Sequence, residues 1–230
     1  MKKKNCGAPI TFLTGSRGSG KSTICRQLLN HTGVAGMVSV ACETGNASRY
    51  GLDAILSDRS NPEGTSGTGA GGTTAGEQRL PLARVVDPQA TSRRSSEGGG
   101  PSYRLALPPA HDRFEDLAEE DMVTIGPYTF SAAALQQGDT FLRALPRRPH
   151  VQLVVVDEVG PLELHRGGGV LGALRELFSS CLPLVVVVRP SLVVAACRLA
   201  ENLRSGCVPE TLGVADLENP GDARVLKTLL

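Results

Sequence analysis

Apolar residues in this chain fall into short β-branched runs, separated by stretches whose apolar positions recur every three or four residues. The runs at 9–14, 34–42, 80–86, 123–130, 151–157 and 183–189 predict strands. Val154-Val155-Val156 and Val185-Val186-Val187-Val188 are apolar at every position, as in strands buried on both faces. Helical spacing predicts helices over 21–30, 131–145, 169–180, 191–203 and 222–229, with Ser131 placed to cap the second of them. Strands alternating with helices predict an α/β fold: a mostly parallel sheet with helices on both faces.

Two stretches break the pattern. Residues 61–76 are almost all Gly, Ser, Thr, Ala and Glu, which marks 57–78 as a flexible insertion. A second, 89–102, holds Arg93-Arg94 and Gly98-Gly99-Gly100. Both lie between strands, so they are expected as loops of a single domain over 1–230. Arg93-Arg94 reads as solvated charge, with a phosphate clamp as the sharper alternative.

Composition changes this picture little. The 230 residues carry a net charge of +1, and the one dense basic run is Lys2-Lys3-Lys4, so a nucleic-acid groove is not expected. No apolar run approaches the roughly 20 residues of a membrane span, and the N-terminus lacks the apolar core of a signal peptide. The six cysteines form no C-x-x-C pair, and Cys25 and Cys42 fall in predicted core elements. Reduced thiols in a cytoplasmic protein are the expectation.

Chemistry enters at residues 15–22. Gly15-Ser16-Arg17-Gly18-Ser19-Gly20-Lys21-Ser22 is a complete phosphate-binding loop, G-x-x-x-x-G-K-S/T, with a predicted strand before it and a helix after it. Glycines let the backbone approach phosphates, and the helix N-terminus favours an anion. Lys21 is expected at the β- and γ-phosphates, Ser22 at Mg²⁺, and Thr23 near the α-phosphate. The strand 151–157 runs straight into Asp157-Glu158. Asp157 is a candidate Mg²⁺ ligand, and Glu158 a base for a water attacking the γ-phosphate. Gly160-Pro161 predicts a turn that fixes the acids at the carboxyl edge of the sheet and brings Gly160 to the nucleotide site.

The segment Asp157-Glu158-Val159-Gly160-Pro161-Leu162-Glu163-Leu164 resembles the second signature of the thermostable nucleoside-triphosphatase family. Looser matches are Gly33-Val34-Ala35-Gly36, Arg49-Tyr50-Gly51-Leu52 and Gly126-Pro127-Tyr128-Thr129-Phe130. Together they cover about 8–203 outside the insertions, and Leu52 departs from the family's usual aromatic. The resemblance implies a three-layer, RecA-like P-loop fold and Mg²⁺-dependent hydrolysis of several nucleoside triphosphates to diphosphates. Residues 204–230 carry no such match.

Hydrolysis gains from positive charge at the γ-phosphate. Arg189, at the end of a predicted strand, ranks first; Arg17 and Arg49 follow. No motif for base recognition is present, so broad nucleotide tolerance is expected, in a monomer. A small-molecule or nucleotide kinase shares the loop, and would need an acceptor pocket and an arginine-rich lid from Arg93-Arg94 or Arg147-Arg148. A slow nucleotide-dependent switch is the third reading.

Overall fold

Valine-rich strands set the architecture. In the computed structural model, which describes residues 8–43, 50–59, 76–85, 122–125, 128–204 and 212–219, nine strands form one sheet. They are β1 (Ile10–Thr14), β2 (Val34–Glu43), β3 (Tyr50–Asp58), β4 (Glu77–Val85), β5 (Met122–Ile125), β6 (Tyr128–Ser131), β7 (Leu153–Val159), β8 (Leu184–Val188) and β9 (Leu212–Asp216). Their order across the sheet is β5-β6-β4-β3-β2-β7-β8-β1-β9. Helices are α1 (Lys21–Leu28), α2 (Ala132–Ala144), α3 (Pro161–Leu164), α4 (Leu171–Ser179) and α5 (Val193–Leu203).

The sheet is mixed, which corrects the expectation of a mostly parallel one. From β2 through β7, β8 and β1 to β9 every neighbouring pair is parallel. From β2 through β3, β4 and β6 to β5 every pair is antiparallel. The expected strand 123–130 is in fact the hairpin strands β5 and β6, for Gly126-Pro127 divides the run. β3 was not expected. Asp53, buried and paired with Arg79 at 2.5 Å, interrupts its apolar character. β3 and β4 also narrow the expected insertion 57–78: β3 runs to Asp58, β4 starts at Glu77, and Asp58 N–H donates to Gly76 C=O at 2.9 Å. Residues 60–75, the 89–102 insertion and the expected helix 222–229 lie outside the described residues.

Strand periodicity divides the core between the two faces. Val155, Val185, Val187 and Leu13 pack with Cys25 and Leu28 of α1 on one face. Val154, Val156, Val186 and Phe12 pack with α2, α4 and α5 on the other. There Phe12 meets Phe178 edge to face, centroids 6.0 Å apart. The expected cap is present: Ser131 Oγ accepts the Ala134 N–H at 3.2 Å. Gly160-Pro161, expected as a turn, opens the short helix α3, with Pro161 at its first position.

Candidate functional site

Because β1, β7, β8 and β9 run parallel, their carboxyl ends share one edge of the sheet. The glycine loop leaves β1 at that edge. Gly15 holds φ +133, and a Cβ there would lie 2.9 Å from Ser19 Oγ. Gly20 caps α1 in a left-handed conformation, which a side chain would strain. The first turn of α1 carries no acid, so none of its own side chains neutralises the positive end of the helix dipole. Lys21 Nζ spans the loop, donating to Gly15 C=O at 2.9 Å, Ser16 C=O at 2.5 Å and Ser19 Oγ at 3.2 Å. Burial lowers the Lys21 pKa, against the raising influence of Asp157, Glu158, Glu218 and Asp216. Ser16, Arg17, Gly18 and Thr23 are exposed around the loop, and Ser22 is half-buried at the start of α1.

β7 supplies the acids through a bulge. Its pairing with β8 jumps from Val156↔Val186 to Val159↔Val188, one residue more on β7 than on β8. The extra length is taken up at Asp157 and Glu158. Among the described residues Glu158 is the one non-glycine with positive φ, at 63°. Such a conformation costs roughly 1–2 kcal/mol and gathers at functional sites. Asp157 follows Val155 onto the α1 face, only 2 % exposed. Neither of its carboxylate oxygens has a hydrogen-bond partner. Desolvation and the neighbouring Glu158 push its pKa up to about 7. The Ser22 hydroxyl and the amides of Ser39 and Glu158 lie close enough to moderate that rise, yet none completes a well-formed hydrogen bond.

Glu158 reaches solvent at the rim of the site. Desolvation by the surrounding protein still raises its pKa; Arg189, Arg17 and Lys21, in that order, pull it down. Arg189 is exposed at the end of β8, where the chain turns into Pro190–Leu192. The fold thus gathers Lys21, Ser22, Asp157, Glu158, Arg17 and Arg189 at one edge. Gly160 is engaged elsewhere: its N–H donates to Glu163 Oε2 at 2.9 Å.

Other candidates lie elsewhere. Arg148 pairs with Asp58, and Arg147 with Glu176, away from the loop. Asp58 stands opposite Ala35, at the amino-terminal end of β2, so this pair occupies the far edge of the sheet. Arg49 and Arg93-Arg94 fall outside the described residues. What the sequence reading missed is β9. It pairs with β1 along its length and brings Asp216 and Glu218 within electrostatic reach of Lys21. The available signal was Leu212-Gly213-Val214-Ala215-Asp216, a short apolar run ending in an acid; Gly213 diluted it.

No family model matches the chain, and no curated protein matches it in sequence. The fold is similar to that of a human cancer-related nucleoside triphosphatase, at 18 % identity and a TM-score of 0.53, over 96 % of this chain and 95 % of that one. It is likewise similar to THEP1 from the hyperthermophile Aquifex aeolicus, at 13 % identity and a TM-score of 0.53, over 96 % of each chain. At these identities the likeness is one of fold, and it extends over nearly the whole chain, further than the 8–203 outside the insertions that the sequence resemblance covers.

Proposed function

We propose that this chain hydrolyses nucleoside 5'-triphosphates, ATP and GTP among them, to diphosphate and phosphate with Mg²⁺. One observation carries the reading: a complete glycine loop and a bulged Asp157-Glu158 pair share one sheet edge, with Arg17, Arg189 and Lys21 acting on Glu158. In the parallel half of the sheet β8 lies between the strand that feeds the loop and the strand that ends in the acids, an order that supports a RecA-like reading of that half.

The residues fit a hard divalent cation. Asp157 offers two buried oxygens without partners, and the Ser22 hydroxyl is its neighbour. Among the described residues no cluster of three His, Cys, Asp or Glu could hold a metal alone, so phosphate oxygens and water would complete the shell. Bound there, Mg²⁺ would neutralise phosphate charge.

The chain's own groups account for the rest of the chemistry. Loop amides and the α1 N-terminus hold the phosphates. Lys21 exchanges its loop carbonyls for β- and γ-oxygens. Glu158 orients a water and takes its proton as the new oxygen–phosphorus bond forms and the β–γ bridge breaks. Arg189 and Arg17 meet the charge that develops on the γ-phosphoryl group. The sequence holds no base-recognition motif such as Asn-Lys-x-Asp, in line with broad nucleotide tolerance.

Phosphate release from ATP, GTP, CTP and UTP, with Glu158→Gln alongside, tests this. Release from several nucleotides, falling about 10²–10⁴-fold in the variant, is the expected outcome. Nucleotide binding without release from either protein would overturn it in favour of a kinase or a switch.

A further inference from the structure

Glu163 has no part in the chemistry above, yet it is a carboxylate only 6 % exposed, five residues beyond Glu158. Burying an ionisable group is costly unless it is bonded. Its two oxygens join two elements. Oε2 accepts the Gly160 N–H at 2.9 Å, and Oε1 accepts the Val170 N–H at 3.4 Å, just before α4. The chain is shaped around this carboxylate: Gly169 holds φ +59, and a Cβ there would overlap Glu163 Oε1. Between Glu158 and Gly160 stands only Val159, 1 % exposed and paired with Val188. The extended Gly160 is therefore the first point after the bulge that a side chain grips.

We propose that Glu163 is a positioning residue that clamps Gly160 to the start of α4 and thereby holds Glu158 in its left-handed bulge beside the glycine loop. This rests on Glu158 being the base. Glu163 touches no substrate, and its contribution is reach: its side chain is long enough to meet both amides. Charge is the competing explanation, since Glu158 lies near enough to repel it.

Two substitutions separate reach from charge. Glu163→Asp keeps the charge and loses one methylene of reach. Glu163→Gln keeps the length but has one acceptor oxygen, which still meets the Gly160 N–H, while its NH2 faces the Val170 N–H and loses that bond. For Glu163→Asp, kcat should fall about tenfold or more, since small displacements of a catalytic group are costly, while the nucleotide Kd stays within about twofold. Glu163→Gln, which keeps the shorter bond to Gly160 and loses the longer one to Val170, should lose clearly less kcat than Glu163→Asp. In nucleotide-free protein, the Glu158 Cα and Hα chemical shifts should move from left-handed towards extended values further in Glu163→Asp than in Glu163→Gln. Wild-type kcat in Glu163→Asp, an equal loss in Glu163→Gln, or kcat, nucleotide affinity and Tm falling together would each overturn the proposal. Absence of phosphate release from the wild type would instead remove the hydrolase reading. The Glu158 shifts would then decide the positioning role alone: movement in Glu163→Asp supports it, and unchanged shifts overturn it.

Discussion

Asp157 is ionisable, almost wholly buried and without a hydrogen-bond partner, a combination that costs stability in the folded chain. Its pKa rises from 3.8 to about 7, chiefly through desolvation. Between these values the folded state holds a proton that the unfolded chain has released, so stability falls as pH rises from about 4 towards 7 and changes no further through this group above it. The ionised side chain would cost up to roughly 4 kcal/mol. Asp157→Asn should therefore raise Tm clearly at about pH 8 and barely at about pH 4, in metal-free buffer. Mg²⁺ should stabilise the wild type more at the higher pH and leave Asp157→Asn nearly unchanged. Thermal melts at the two pH values, with and without Mg²⁺, measure both effects. A variant less stable than wild type at about pH 8 would mean that the carboxylate is satisfied by the fold itself.

Among the elements, those whose local chemistry agrees with their surroundings were legible. β8 is apolar at every position, β7 is apolar up to its acids, and β1 is buried at four of its five positions, which leaves few alternatives. α2 announced its own start through Ser131, and the cap is there. Ser131→Ala should cost about 1 kcal/mol in urea denaturation and leave phosphate release at the wild-type rate, because the bond it loses, to the Ala134 N–H, lies within α2 itself. A loss of release in proportion to stability would tie α2 to the site. The elements that stayed hidden owe their existence to partners distant in sequence. β3 buries Asp53 only because Arg79 of β4 pairs with it. β4 accommodates Pro81 through a register shift opposite Leu52 and Asp53, since proline cannot donate to the ladder. The bulge at Glu158 is likewise invisible locally. Its φ follows from the pairing of Val156 and Val159 with β8 and from the grip of Glu163 on Gly160.

Across the whole molecule the two halves of the sheet divide the work. The parallel half presents the loop, the acids and Arg189 at one edge; the antiparallel half extends the sheet away from it. The loop, the acids and Arg189, legible in the sequence, follow from β1, β7 and β8, while β9, which flanks the loop on its other side, was not legible. This division makes a prediction for hydrogen exchange. Nucleotide with Mg²⁺ at about 100 times its Kd should stabilise the folded state by about 2.7 kcal/mol, which slows every amide that exchanges through global unfolding. Amides that exchange through local opening should respond only where the ligand bears on them. Added protection should therefore gather at 15–24, 157–160 and β9, with the β5–β6 hairpin unchanged at its local rate. The β9 result is the informative one. Leu217 N–H donates to Thr14 C=O at 3.2 Å, and Asp216 and Glu218 act on Lys21, so ordering the loop should order this strand end with it. Protection of the hairpin equal to that of β9 would mean that the two halves open together, and that the antiparallel extension is part of the same cooperative unit as the site.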